Sequence, residues 1–267
     1  MSKGVNLSVE FWLGFGLLIF LLLAALLAPV FYPNDPLSIV ASPLLLPFEN
    51  SSFPLGTDRL GRDVLAQLFY GARTSLVIGL AASFSAILIG SLVGVAAGFA
   101  GGLIDEALMR ITEAFQTVPG FLLALALVSL FGPSIGMIVV AITLSSWTQA
   151  ARLVRGQVLS LRERDFVASA KVIGMHPVEV ACKQILPHAL APVFALAPVI
   201  VAGAILTEAA LSFLGLGDPN RVTWGAMISE GRTVLRSAPF LSVVPGIALV
   251  LTVIGVYLIG EGFKRDE

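Results

Sequence analysis

Charged side chains are spaced along this chain so that apolar runs of bilayer-crossing length lie between them, and this spacing constrains the fold more than any motif. A helix that crosses the hydrocarbon needs about 20 mostly apolar residues. Uncharged runs of 24, 31, 24 and 24 positions separate Glu10 from Asp35, Arg73 from Asp105, Lys183 from Glu208 and Arg236 from Glu261. Each run predicts one span. The 38 uncharged positions between Glu113 and Arg152 are too many for one crossing at about 1.5 Å per residue, and Gly132-Pro133 falls near their middle, where a turn belongs. That stretch predicts two spans, so the expected fold class is an all-α integral membrane protein with six transmembrane helices. Composition agrees: 57% of the residues are hydrophobic and 12% charged, about half the charge of a soluble domain.

The first apolar run, Phe11 to Val30, exceeds the roughly 7 to 15 residues of a cleaved signal-peptide core and reads as an anchor. The expected order is an N-terminal segment at 1–10, a first transmembrane helix at 11–31, an extracytoplasmic segment at 32–72, a five-helix transmembrane domain at 73–262 and a C-terminal segment at 263–267. With six spans, Lys3, Arg110, Arg152, Arg155, Arg162, Arg164, Lys171, Lys183, Lys264 and Arg265 fall on one side and the remaining six basic residues on the other. That excess places both termini in the cytoplasm. Within the outer segment Pro33, Pro36, Pro43, Pro47 and Pro54 exclude a continuous helix as far as Phe53. Beyond it, Thr57 or Asp58 is expected to cap a helix whose Leu60, Val64, Leu65, Leu68 and Phe69 share a face lying along the outer membrane surface.

Several chemistries are excluded. A net charge of -1 supplies no cationic face for nucleic acid, and the lone Cys182 forms no disulfide framework or thiolate metal cluster. His176 and His188 have no ligand spacing, so no metal or cofactor is expected, and no phosphate loop, zinc-protease helix or nucleophile elbow occurs. The chain is therefore read as non-catalytic. Ionisable residues inside the spans, which mark proton or ion relays, are confined to span ends. Glu208, at the outer end of the fifth span, either marks the membrane interface or faces the mouth of a pathway, and the interface is the favoured reading. On the fourth span Ser145, Ser146, Trp147, Thr148 and Gln149 either line a pathway or bond neighbouring helices. Pro119, Pro192, Pro198, Gly203 and Pro245-Gly246 are expected to break or kink their spans.

The loop at 152–187, between spans four and five, concentrates basic side chains and carries Ala168-Ser169-Ala170, Gly174 and Ile185-Leu186-Pro187. Small residues let one short helix approach a partner closely, Gly174 permits a turn, Pro177 can start a second helix, and Pro187 marks re-entry into the membrane. A stiff helix pair of this kind reads as a platform for a soluble partner.

The loop resembles that of the inner-membrane permease subunits of ABC importers, which carry Glu-Ala-Ala, three residues, Gly, then Ile-x-Leu-Pro. Ala168 stands at the glutamate and Gln184 at the isoleucine, while the 12-residue spacing from Gly174 to Leu186 is kept. Phe53-Pro54-Leu55-Gly56-Thr57-Asp58-Arg59-Leu60-Gly61-Arg62-Asp63, Glu208-Ala209-Ala210-Leu211-Ser212-Phe213-Leu214-Gly215-Leu216-Gly217 and Trp224-Gly225-Ala226-Met227 are similar to the second permease of the peptide and nickel branch. Asp218 to Thr223 departs from that branch's proline-rich run. The resemblance implies a type I importer permease fold in a cell inner membrane. It also implies a homologous second permease, two ATP-binding subunits inside and an extracytoplasmic solute-binding protein that delivers dipeptides or oligopeptides. Nickel or another chelated solute is the alternative cargo, and a passive channel a remoter one. By the same resemblance Ala168, Ser169, Ala170, Gly174, Ile185, Leu186 and Pro187 form the ATPase-coupling site.

Overall fold

The computed structural model describes residues 9–264, without the side chains of Lys171, Cys182, Phe263 and Lys264. Lys3 and Arg265, part of the basic count, and most of both terminal segments lie outside the described residues. The chain is nearly all helical. It runs as α1 (Val9–Phe31), α2 (Val64–Ala100), α3 (Gly102–Thr117), α4 (Gly120–Phe131), α5 (Ile135–Leu161), α6 (Asp165–Val172), α7 (Pro177–Glu179), α8 (Leu186–Leu211), α9 (Trp224–Arg232) and α10 (Phe240–Lys264). A π turn, Val180–Ile185, joins α7 to α8, and a second, Ser212–Leu216, follows α8. Among the described residues five helices are long and apolar enough to cross a membrane, and α3 and α4, bent by 81°, make a sixth crossing if taken together.

Glycine builds the central seam. Gly90, Gly94 and Gly98 recur every four residues along one face of α2 and bring its backbone against α5. A Cβ on Gly94 would stand 2.5 Å from the Ala151 carbonyl oxygen and 2.8 Å from Val154 Cβ; one on Gly98 would stand 2.8 Å from Val158 Cβ; one on Gly90 would collide with the Trp147 carbonyl. In lipid there is no hydrophobic drive between helices, so this close van der Waals approach holds the pair together. The same device joins α1 to α10, where a Cβ on Gly14 would lie 2.7 Å from the Gly255 carbonyl oxygen.

The break expected at Pro119 is present. Val118, immediately before Pro119, is pushed into extended geometry and ends α3, leaving only 12 residues for α4. The turn expected at Gly132-Pro133 is present, with Gly132 at φ +90° and the Ser134 hydroxyl oxygen capping α5 by accepting from the Met137 N–H at 3.2 Å. Pro192, Pro198 and Pro245 break nothing: each sits inside a continuous helix, and Pro198 packs against Gly260. Neighbouring helices and local ladder adjustments absorb their missing donors.

The outer segment also differs from expectation. No separate helix is capped by Thr57 or Asp58; the helix starts at Val64, is capped by Asp63 and continues as α2, so the expected boundary at 72/73 falls inside it. The cause is Asp58. One carboxylate oxygen accepts from the Leu60 and Arg62 N–H groups at 2.8 and 2.9 Å and the other from Gln67 Nε2 at 2.9 Å, folding 57–63 into a loop closed by a Thr57–Asp63 bridge. Gly61, at φ +80°, lies so close to the Ala41 carbonyl that a Cβ would collide with it. The segment is a hook under the outer strap, not a surface helix.

Candidate functional site

Beyond α5 the chain leaves the bundle as a compact elbow. Helix α6 ends where Gly174 takes φ +85°, and the Met175 N–H reaches back to the Ala170 carbonyl at 3.1 Å, a glycine stop of the Schellman kind. His176 then accepts from the Val178 N–H, and Pro177 opens α7. Pro187 does not mark a break. Lacking an N–H, it would leave a gap in an α ladder; here the preceding turn widens, the Leu186 N–H reaches the Ala181 carbonyl, and α7 runs into α8 as one rod.

The predicted coupling residues divide into two groups. Ala168, Ser169, Gly174 and Pro187 are exposed, and Leu186 is half-buried. Ala170 and Ile185 turn inward and join Val154, Val158, Val167, Val180, Ala189 and Val193 in a core that fastens the elbow to the ends of α5 and α8. They brace the loop and do not present it. What the loop does present was not anticipated: Val172 is 87% exposed, Ile173 77% and Val178 61%. These three large apolar side chains are left uncovered by the rest of the described protein. The available signal was their position in an otherwise charged island.

Arginines fix the base of the elbow. Arg155 on α5 donates from Nε and Nη2 to the two oxygens of Asp105 on α3 at 2.5 and 2.7 Å, and Arg162 donates to the Gly98 carbonyl at 3.2 Å. A planar fork on a planar carboxylate gives geometry as well as energy. Asp105→Asn keeps the shape but loses the charge-assisted pair. Because the site is partly open to solvent, its expected cost is about 1 kcal/mol. Thermal unfolding of the detergent-solubilised protein checks this, with Asp105→Asn/Arg155→Gln expected to lose little more than the single variant.

The four predicted pathway residues are not brought together. Ser145 is half-buried and donates to the Ile142 carbonyl at 2.9 Å, Ser146 is half-buried, and Gln149 is exposed on the protomer. Their neighbour Trp147 is buried, packed edge-to-face on Phe115 at 5.5 Å, and Thr148 is buried as well. Glu208 is buried within the protein near the end of α8. It is 0% exposed, takes a 2.7 Å hydrogen bond from the Ser212 hydroxyl, and lies beside Ser75 and Thr223 where α2, α8 and α9 meet. The second π turn brings Ser212 round to it. Away from the spans, burial pushes the Glu230 carboxyl on α9 above its ordinary range, with Arg62 and Arg59 pulling it down and Asp58 pushing it up.

Comparison with known proteins accords with this geometry. Residues 86–265 match the family described as binding-protein-dependent transport system inner membrane component. The probable peptide ABC transporter permease protein y4tQ of Sinorhizobium fredii is 42% identical over 254 residues, covering 94% of this chain and 86% of that protein. The oligopeptide transport system permease protein OppC of Haemophilus influenzae is 36% identical over 254 residues, covering 93% of this chain and 80% of its own. The MetNI methionine ABC transporter, in an inward-facing structure, superposes with a TM-score of 0.60 at 18% identity over 74% of this chain and 95% of the matched one, a likeness of fold. With its helical bundle, its elbow and a family match across most of its length, the chain belongs to the binding-protein-dependent transport system inner membrane components, a family of multi-pass membrane permeases.

Proposed function

We propose that this protein is one of two permease subunits in an ATP-driven importer and forms half of a pathway for dipeptides or oligopeptides delivered by an extracytoplasmic binding protein. The observation that carries the cargo is the alignment of peptide-transport relatives over nearly the whole chain, including the outer hook ahead of the family match. Nickel relies on the branch resemblance alone. The termini and the elbow are assigned to the cytoplasm, in line with the basic excess on that side.

Mechanically, the elbow suits force transfer. Its apolar tip offers Val172, Ile173 and Val178 to a cleft on an ATP-binding subunit, while its buried side seats Val167 and Ile185 against Val154 and Val158 of α5. Closure of the ATP-binding subunits then moves α6 and α7, and the unbroken rod from Pro177 carries that motion into α8. A packed joint has discrete arrangements and does not deform continuously, so the bundle responds by changing between inward- and outward-open packings.

Affinity purification of the tagged protein from intact membranes, with mass spectrometry, is expected to recover a second permease and two ATP-binding subunits. The recovered assembly, reconstituted with its binding protein, is expected to import a labelled dipeptide on ATP addition. Nickel import without peptide import would reverse the cargo assignment.

A further inference from the structure

A cleft of about 300 Å³ opens at the end of the bundle opposite the elbow, between the strap after α1, the first third of α2, the start of α5 and the loop before α9. Helix α5, 27 residues long, separates it from the elbow by about 40 Å. Its size is at the lower end of small-ligand sites. Asp35, Tyr70, Arg73, Thr74, Asn220 and Arg221 supply its polar wall, and apolar side chains supply the rest.

The wall holds two arginines and one carboxylate, an excess of positive charge. Among the described residues neither Arg73 nor Arg221 joins an ion pair. Two permanently cationic, planar forks lining one cleft favour an anion there, and the guanidinium geometry matches a carboxylate. Asp35 lines the same cleft without pairing to either arginine; its Oδ1 accepts the Leu37 N–H at 2.9 Å, which fixes the carboxylate in place. The Tyr70 hydroxyl, donating to the Tyr32 carbonyl at 2.9 Å, pins the strap to α2 and so holds Asp35 beside the helix that carries Arg73. Positive and negative groups held apart across a small partly apolar cavity complement a short zwitterion.

From this we infer that the cleft is a transient entry site for the peptide itself: Arg73 and Arg221 take its C-terminal carboxylate, and Asp35 its amino group. This inference rests on the peptide-import reading and deepens it by naming the group recognised at the outer mouth. No bond is made or broken there; the site orients a solute released by the binding protein before it passes between the subunits.

The reconstituted assembly with its binding protein tests this with two labelled dipeptides, one with a free C-terminus and one amidated. In Arg73→Gln/Arg221→Gln, uptake of the free acid is expected to fall about tenfold, the scale of one charge-assisted hydrogen bond, with amide uptake changed less than twofold. The affinity of the loaded binding protein for the assembly is expected to stay unchanged. Equal loss for acid and amide, or no loss for either, overturns the entry site. A fall in binding-protein affinity also overturns it, by making the cleft a protein-docking surface. If the wild-type assembly imports neither peptide, the peptide reading fails, and this inference falls with it.

Discussion

Gly94→Leu is expected to remove folded protein from the membrane, the largest effect of any single substitution considered. The built Cβ meets a backbone carbonyl at 2.5 Å, and carbonyls of a packed helix cannot move aside as a flexible side chain can. Overfilling a packed interface ordinarily costs about 1–3 kcal/mol, and here α2 must separate from α5 along a seam that Gly90 and Gly98 also need closed. The cost therefore lies at or above the top of that range, a large part of the stability of an ordinary domain. Size-exclusion profiles of detergent-solubilised protein check this, with Gly203→Leu as the control. Gly203 lies in α8, a Cβ there meets nothing within 4 Å, and that variant should elute as wild type. A monodisperse, thermally stable Gly94→Leu protein would refute the glycine seam.

The second large effect is expected at Gly174. A side chain at φ +85° costs about 1–2 kcal/mol of local strain, but a Cβ there meets nothing within 4 Å, so the chain can hold even a bulky residue without unfolding. Gly174→Trp should therefore insert and purify normally while abolishing uptake and substrate-stimulated ATP hydrolysis, because the new ring projects beside Val172 and Ile173 at the exposed tip. Asparagine tolerates left-handed backbone and is small, so Gly174→Asn should keep most activity. Uptake by the tryptophan variant at wild-type rate would show that force enters elsewhere.

Long-range organisation was largely legible from charge spacing, because an apolar run flanked by charges has one stable solution in a bilayer. The elbow was also legible, since Gly174 and Pro177 act on their own backbone and need no tertiary context. Three features were not. The Asp58 hook replaced an expected surface helix because its carboxylate competes for N–H groups that a helix would use, and amphipathic periodicity is blind to that competition. The burial of Glu208 is invisible to a charge count along the chain, because it depends on Ser212 being brought round by a π turn. The repeat of Gly90, Gly94 and Gly98 was in plain view, but only the partner's backbone shows that the glycines serve approach and not flexibility. At the candidate site, basic charge, Gly174 and Pro177 single out the loop, yet which of its side chains face out is decided by the valine core on α5, a tertiary fact.

Helix α2 carries a further consequence. Its 37 residues extend about 55 Å as one unbroken shaft, far more than the roughly 30 Å of hydrocarbon. Arg73 sits near one tip and Gly98, tethered to Arg162, near the other. On the proposed mechanism, a tilt of α2 about a point within the lipid swings its two tips in opposite senses, so one rigid lever would link solute entry to nucleotide turnover.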